Sequence, residues 1–290
     1  MYRVFSPRRY LRVAVAVTAL LLTVITVYHL PVAPAATTPT DGVAVPIIMY
    51  HSILNNPSRA GDYVITPQQF EADLHYLKAN GYTTVVIADL IAYVQEGKPL
   101  PDKPVMLSFD DGYYNNYHYA HPLLKQYGMR AVLSPIAIWS EHYTTHPSER
   151  DHDNYSHLTW EQLREMAQSG VWEIQNHSYD LHHMDGTQKG AAKRTGESDD
   201  GYRLRLKSDL ATAQQLLKEQ VGVTPTCFTY PYGAISDTSQ KVLADMGFVA
   251  SLSCEERTST LTRDPACLWR LGRYLRPANK DVATILNRSA

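Results

Sequence analysis

Cysteine is scarce in this chain of 290 residues, which contains only Cys227, Cys254 and Cys267. Three cysteines are too few for the disulfide framework of a small secreted domain. Cys254 and Cys267 could still close a loop in an oxidising compartment; the alternative is three free thiols, with Cys227 packed in a strand. A hydrophobic core can stabilise the fold in place of disulfides. With 44% hydrophobic residues, the chain has enough apolar side chains for the core of one large domain or of two small ones.

An excess of positive charge is also lacking. The chain has 27 Lys and Arg residues against 29 Asp and Glu residues. Removal of residues 1–35 would take away four arginines and no acidic residue, which lowers the formal net charge from −2 to −6. Binding to phosphate backbones requires a basic face. We therefore expect no nucleic-acid partner.

The N-terminal part has the pattern of an export signal. An uncharged apolar run of 18 residues, Val13 to Leu30, follows a flank that contains Arg3, Arg8, Arg9 and Arg12. The small residues Ala33 to Ala36 offer a cleavage site, but 18 apolar residues could also span a bilayer. We predict a signal peptide or membrane anchor at residues 1–36, a linker at 37–42, and an extracytoplasmic domain at 43–290 that is secreted or anchored to the cell membrane.

Within that domain, apolar runs typical of strands alternate with amphipathic stretches typical of helices. The predicted strands are Val45 to Tyr50, Thr83 to Ile87, Val105 to Phe109, Ala131 to Ser134, Val171 to Asn176, Thr226 to Tyr230, Phe248 to Leu252 and Trp269 to Tyr274. The alternation predicts an α/β fold in which helices connect parallel strands, either a barrel or a doubly wound sheet.

Three helices have clear signals in the sequence. Thr66 and Thr159 each stand three residues before a glutamine, which predicts a capping box at the start of a helix. A stripe of apolar residues from Leu206 to Leu217 predicts a third helix, which ends near Gly222. Two long polar segments, residues 140–157 and 180–201, are predicted to be loops with a functional or mobile character.

Chemically reactive or turn-forming residues follow four of the predicted strands. These are His51, the triplet Asp110-Asp111-Gly112, His177, and the triplet Pro231-Tyr232-Gly233. In an α/β barrel, the carboxyl ends of the strands open on one cavity, where loops bring reactive side chains together. Residues without a shared function would be scattered between both ends of the strands. The pattern therefore predicts one site at this end of the fold.

Asp111, His177 and His182 provide one carboxylate and two imidazoles, which suits a divalent metal that keeps a position open for water. His182 lies five residues after His177, so a turn must separate the two ligands. The alternative is that His182 is an ordinary loop histidine.

The neighbours Asp110 and Asp111 would point to opposite faces of a regular strand. They can share a site only if the chain bends there, and Gly112 makes a bend cheap. One carboxylate could then bind the metal while the other accepts a proton from water. The alternative is that Asp110, Asp111 and Gly112 form a solvated turn. The apolar strand immediately before them argues against this alternative.

These motifs resemble the polysaccharide deacetylases of carbohydrate esterase family four, also called the NodB homology domain. The motifs are Ser108 to Gly112, His177-Ser178 with His182, and Tyr230 to Gly233, and the resemblance covers roughly residues 43–275. The resemblance implies an irregular (β/α) barrel that contains a zinc-like metal, with Co²⁺ or Ni²⁺ as possible substitutes for Zn²⁺. It also implies that Asp110 is the general base, that Asp111, His177 and His182 bind the metal, and that the backbone N–H of Tyr232 stabilises an oxyanion.

Two departures from the family pattern affect the site. Thr229 occupies the place of an arginine that normally steadies the catalytic base, and Arg270 or Arg273 could substitute for it. The late histidine motif that supplies the catalytic acid is missing. The opening strand, which ends at His51, is similar to that of the circularly permuted branch containing the poly-N-acetylglucosamine deacetylases, and this implies that His51 is the general acid.

The resemblance implies removal of N-acetyl groups from an extracellular or cell-wall polysaccharide. The favoured substrate is poly-β-1,6-N-acetylglucosamine, and the alternatives are peptidoglycan and chitooligosaccharides. A glycosidase using Asp110 and Asp111 and a glycan-binding protein without activity are the rival hypotheses. Phenylalanine is rare, with 5 residues against 20 Tyr and 4 Trp, and the latter two suit sugar-binding platforms. The candidates nearest to the motifs are Tyr113, Tyr114, Trp139 and Tyr179.

Overall fold

The computed structural model describes residues 42–289. The predicted export or anchor segment at 1–36, and the predicted linker apart from Gly42, lie outside the described residues. No helix within residues 42–289 combines the length and the apolar character needed to cross a membrane.

The domain contains a central parallel sheet and several shorter strand pairs. The strands are β1 (Val43–Val45), β2 (Ile47–Tyr50), β3 (Ser52–Ile53), β4 (Val64–Ile65), β5 (Thr83–Thr84), β6 (Pro104–Asp111), β7 (Ala131–Pro135), β8 (Trp172–Ile174), β9 (Cys227–Thr229), β10 (Ala250–Leu252), β11 (Ser259–Leu261) and β12 (Tyr274–Leu275). The strand order in the central sheet is β12-β2-β6-β7-β8, with β5 paired to the beginning of β6. The predicted α/β fold with parallel strands is confirmed.

Helices connect most of these strands. They are α1 (Pro67–Ala79), α2 (Ile87–Glu96), α3 (His121–Tyr127), α4 (Ala137–Thr145), α5 (Trp160–Gln168), α6 (Asp199–Leu216), α7 (Ser239–Asp245) and α8 (Val282–Ser289). The capping boxes predicted at Thr66 and Thr159 are both present, since each hydroxyl accepts the N–H of the glutamine three residues later. The stripe from Leu206 to Leu217 belongs to α6 and the turn of π-helix that follows it.

Strand β6 is the longest strand of the central sheet, and all eight of its residues are buried. It pairs with β2 and β7 along its two edges, and its side chains enter two separate hydrophobic clusters, Val105, Leu107 and Phe109 in one and Met106 in the other. Its register pairs Phe109 with Tyr50 and Asp110 with Ser134. The strand therefore carries its two terminal aspartates to the carboxyl edge of the sheet, next to the ends of its neighbours.

Beyond the central sheet, β9 and β10 form a parallel pair. A single parallel bridge between Asn176 and Phe228 connects the end of β8 with β9, and another between Leu252 and Leu271 connects β10 with the segment that leads to β12. These bridges are consistent with the irregular (β/α) barrel that the sequence predicts.

Three predicted segments differ from the structure. Strand β5 stops at Thr84, and Ile87 begins α2, because the Asp89 carboxylate accepts the Val86 N–H and caps that helix. The predicted loop 140–157 begins with six helical residues, which belong to α4. The predicted strand Trp269 to Tyr274 is mostly irregular, since Arg270 has a left-handed φ of 56° that interrupts extended pairing.

The loop-closing disulfide is absent from the described part of the chain, where Cys254 and Cys267 are free thiols. The Cys254 sulfur lies 3.7 Å from a guanidinium nitrogen of Arg273, whereas the Cys267 sulfur contacts the Thr262 carbonyl at 3.8 Å. Cys227 is buried within β9, as the alternative interpretation of the three cysteines predicts.

Candidate active site

Asp110 and Asp111 end β6 at the base of a cleft of about 650 Å³, and both residues line it. Asp111 has a left-handed φ of 69°, and Gly112 follows with a φ of 76°. The bend therefore starts one residue before the glycine, at Asp111 itself, and it breaks the alternation that would send the two carboxylates to opposite faces. Gly112 is also required for space, because a Cβ there would lie 2.8 Å from the Pro135 Cβ.

Three potential metal ligands converge beside this bend. The Asp111 Oδ1 lies 3.4 Å from the His177 Nε2 and 3.3 Å from the His182 Nε2. The three ligand atoms all lie within 4.8 Å of one another. The structure thus brings together the three residues that the sequence nominates as metal ligands.

A hydrogen bond to the backbone fixes the orientation of the His177 ring. Its Nδ1 lies 2.7 Å from the Thr229 carbonyl, which can only accept a hydrogen bond, so Nδ1 carries a proton and Nε2 is the ring nitrogen that remains for an ion. Ser178, with a left-handed φ of 90°, turns the chain after His177, and the Asn176 side chain accepts the Ser178 N–H at 2.7 Å. This turn allows His182 to return to the same cluster.

The donor set fits a divalent cation. The Asp111 Oδ1 is buried and has no hydrogen-bond partner among the described residues. Burial, reinforced by the neighbouring His177, lowers the pKa of His182 to about 4, so its imidazole is neutral at physiological pH. A cluster of one carboxylate oxygen and two imidazoles, in which that buried oxygen has no hydrogen-bond partner among the described residues, matches the requirements of a zinc-like ion.

Asp110 is held by an arginine rather than by the metal cluster. Arg273 is fully buried, and its Nη1 and Nη2 contact the two oxygens of Asp110 at 2.7 and 2.9 Å. Burial favours a raised pKa for Asp110, but the charges of Arg273 and of the nearby histidines outweigh it and keep the pKa below its ordinary value. Asp110 is therefore an ionised carboxylate at neutral pH.

The two candidate substitutes for the missing arginine have different positions. Arg273 contacts Asp110, whereas Arg270 is half-exposed and pairs with Glu255 at 2.8 Å. Thr229 itself lies in β9, where its hydroxyl is 2.7 Å from the Ser134 hydroxyl and its carbonyl orients His177.

His51 follows β2, and its Nε2 lies 3.9 Å from the Asp110 Oδ2. Its ring packs edge-to-face with the ring of Tyr63 at a centroid distance of 4.9 Å. Burial lowers the pKa of His51, against the opposing effect of the carboxylates of Asp111 and Asp110. The imidazole is thus placed next to the candidate base and outside the Asp111 cluster.

Tyr232 lies in the turn after β9 with a left-handed φ of 57°. Its ring packs against His182 at 4.3 Å between centroids, and its hydroxyl donates to the His182 carbonyl at 3.3 Å. Gly190 approaches this turn so closely that a Cβ there would lie 2.3 Å from the Pro231 carbonyl oxygen. The turn is therefore packed tightly against the segment that carries the second histidine.

Of the four aromatic residues nominated from the sequence, the structure places Tyr113 in the wall of the cleft. The ring of Trp139 stacks on His157 at 5.6 Å, and the hydroxyl of Tyr179 donates to Glu141 at 2.8 Å. Tyr114 packs near His118 at 5.8 Å. These three residues do not line the cleft, because adjacent positions in the chain take different directions once a strand has ended.

Other lining residues were not nominated from the sequence. They include Tyr63, Met184, Lys189, Cys254, Glu256 and Leu275. Cys254 could have been found by the same reasoning that identified the other site residues, because it comes shortly after the end of a strand, here β10. Tyr63 had no comparable signal, since it lies in a loop that follows the very short strand β3.

Residues 97–251 match the family model described as polysaccharide deacetylase. The chain is 26% identical over 267 residues to the poly-beta-1,6-N-acetyl-D-glucosamine N-deacetylase of Escherichia coli (strain K12), which is 83% of this chain and 39% of that protein. The chain spans 64% or less of the length of the first curated relatives it matches.

Two solved structures are similar along most of both chains. The first is a de-N-acetylase from Aggregatibacter actinomycetemcomitans, with a TM-score of 0.71, 25% identity, and coverage of 84% of this chain and 99% of that one. The second is IcaB from Ammonifex degensii, with a TM-score of 0.68, 28% identity, and coverage of 86% and 98%.

Proposed function

The chain belongs to the polysaccharide deacetylase family, and we propose that it is a metal-dependent hydrolase that removes N-acetyl groups from a polysaccharide. The family predicted from the sequence motifs is thereby confirmed. We further propose that residues 43–290 form the catalytic domain and that its strands close into the irregular barrel of this family.

The observation that carries the proposal is the pairing of two differently held carboxylates in one cleft. Asp111 lies in a cluster with two imidazoles, and its buried Oδ1 lacks a partner among residues 42–289. Asp110, one residue earlier, is clamped by Arg273 and lies outside that cluster. A turn with a merely structural role would not need either arrangement.

A divalent ion held by Asp111, His177 and His182 would supply Lewis acidity to the acetyl carbonyl and to water. Zn²⁺ is the favoured ion, and Co²⁺ or Ni²⁺ are possible substitutes. Asp111 contributes the negative charge of this set, and the Thr229 carbonyl holds His177 in the tautomer that can bind an ion.

Asp110 is assigned as the general base, which accepts a proton from the attacking water. Arg273 fixes the carboxylate orientation, and its charge keeps Asp110 ionised and ready to accept that proton. The backbone N–H of Tyr232 is assigned to the developing oxyanion. His51 is assigned as the general acid for the departing amine, and its Nε2 lies 3.9 Å from the Asp110 Oδ2.

Poly-β-1,6-N-acetylglucosamine is the proposed substrate. The support is the name of the relative in Escherichia coli and the likeness to IcaB, together with a histidine at the end of the first central strand. Peptidoglycan and chitooligosaccharides are the alternatives. We also propose that the enzyme acts outside the cytoplasm, with residues 1–36 as an export signal or a membrane anchor, on the strength of the sequence pattern.

Metal removal tests this function. We expect that dialysis against a chelator abolishes acetate release from poly-β-1,6-N-acetylglucosamine oligomers and that Zn²⁺ or Co²⁺ restores it.

His51→Ala should lower turnover while the protein retains its metal, as measured by elemental analysis. Loss of the metal in His51→Ala would make His51 a ligand instead of an acid.

The same assay separates the rival functions. Release of new reducing ends would indicate a glycosidase, and binding of oligomers without any acetate release would indicate a glycan-binding protein. Parallel assays on peptidoglycan and chitooligosaccharides decide among the substrates.

A further inference from the structure

Large apolar side chains concentrate at the rim of the catalytic cleft. On the surface of the described residues, Tyr63, Met184 and Tyr232 are exposed and all three line this cleft. Tyr63 is the most exposed of the cleft tyrosines, at 58%. Exposed apolar groups collected in one concave place indicate a ligand-binding surface.

The two tyrosines flank different parts of the proposed catalytic centre. The ring of Tyr63 packs against His51 at 4.9 Å, and the ring of Tyr232 packs against His182 at 4.3 Å. Tyr63 therefore lies on the side of the proposed acid, and Tyr232 lies on the side of the proposed metal. A chain of sugar rings that places an acetyl group between them would meet an aromatic ring on each side.

Tyr63 is held in place by the backbone around it. The N–H of Ser52, next to His51, donates to the Tyr63 carbonyl at 3.0 Å. Gly61 donates to the Val64 carbonyl at 2.9 Å, and its own carbonyl accepts the Ala278 N–H at 2.9 Å. The loop is thus fixed to both β3 and the C-terminal segment, which presents the tyrosine ring without a large ordering cost on binding.

We propose that Tyr63 forms a subsite for a second sugar ring, next to the ring that loses its acetyl group. The apolar C–H face of a pyranose stacks on the tyrosine ring, while the sugar hydroxyls stay in contact with water. The inference rests on the proposed deacetylase function and extends it to the residue that binds the neighbouring sugar.

Kinetics on a β-1,6-linked N-acetylglucosamine pentasaccharide test the subsite. Tyr63→Ala and Tyr63→Leu should raise KM about fivefold, the factor that about 1 kcal/mol of ring contact gives, and leave kcat and its pH profile unchanged. Tyr63→Phe should behave as wild type, because it keeps the ring. Tyr63→Leu keeps His51 covered, so it remains informative if Tyr63→Ala fails to fold.

Tyr155→Ala is the matched control, since Tyr155 is also exposed but stacks on His152 outside the cleft. It should leave the kinetics unchanged. A fall in kcat with a displaced pH profile in Tyr63→Leu, at an unchanged KM, would mean that Tyr63 only supports His51 and would overturn the subsite.

If the metal-loaded wild-type enzyme releases no acetate, the proposed function itself is wrong, and this result is distinct from any effect of the Tyr63 variants. Calorimetric binding of the same pentasaccharide then decides on the subsite. Weaker binding to Tyr63→Leu than to wild type and Tyr63→Phe supports it, and equal binding overturns it.

Discussion

Two arginine–aspartate pairs are buried within residues 42–289, and their arginines are three residues apart in the chain. Arg273 pairs with Asp110 in the cleft, and Arg276 pairs with Asp73 on helix α1. In both pairs the guanidinium contacts both carboxylate oxygens, at 2.7 and 2.9 Å in the first and at 2.8 and 3.0 Å in the second. The ion pairs themselves are thus almost identical.

The surroundings of the two carboxylates differ. Asp73 also accepts the Tyr50 hydroxyl at 3.2 Å and the Val282 N–H at 3.3 Å, and so joins the central sheet, α1 and the C-terminal helix. Asp110 is held by Arg273 from one side and faces the cleft on the other. A carboxylate surrounded by donors can only hold elements together, whereas one held from a single side can also accept a proton. The comparison separates a structural pair from a proposed catalytic one.

The sharpest test of this comparison is Asp110→Asn against Asp73→Asn. An amide cannot accept a proton from water, so Asp110→Asn should lower the kcat for acetate release about a thousandfold. Asp73→Asn should leave the kcat of the folded enzyme near that of wild type. Metal content, measured in parallel, should be unchanged in both variants. Equal losses of kcat in the two variants would remove the distinction between the pairs.

The second test concerns stability. Asp73→Asn leaves the buried Arg276 guanidinium without its counter-charge, and breaking a buried pair from one side costs about 3 kcal/mol or more. We expect a loss of this size in the free energy of unfolding, measured by urea denaturation of the metal-loaded protein. An unchanged denaturation midpoint would show that the pair does not join the sheet to the C-terminal helix.

The smallest expected effect comes from replacing the arginines by lysine, which keeps the charge but removes the two-pronged contact. Arg273→Lys should lower kcat about 10- to 100-fold, because the base loses its fixed orientation. Its metal content should stay the same. Arg276→Lys is the matched control, for which we expect a lower melting temperature and an unchanged kcat. A larger fall in kcat for Arg276→Lys than for Arg273→Lys would contradict the assigned roles.

Much of the candidate site could be predicted because its members follow strands. His51, Asp111 and His177 each come directly at or after the end of an apolar run, and parallel strands bring such ends to one edge of the fold. The capping boxes at Thr66 and Thr159 are equally local, since their partners are three residues away. Each of these features depends on a few consecutive residues, so it can be predicted from the sequence without knowledge of contacts between distant parts of the chain.

The remaining features depend on residues that are far apart in sequence. Arg273 reaches Asp110 across 163 positions, and the sequence left Arg270 as an equal alternative. The left-handed turn at Arg270 sends these two side chains in different directions, Arg273 into the core and Arg270 toward Glu255. The same holds for Tyr63, whose contact with His51 depends on a loop with no distinctive pattern.

By itself, the sequence determined the α/β class, the approximate carboxyl ends of β2, β6, β7 and β8, and the identity of the clustered carboxylate and histidines. These follow from hydrophobic periodicity and from short-range turn chemistry. The tertiary structure decided which arginine holds Asp110, that Cys254 and Cys267 remain thiols, and which aromatic rings line the cleft. The physical reason is that these outcomes depend on the packing of segments distant in the chain, which local preferences do not encode.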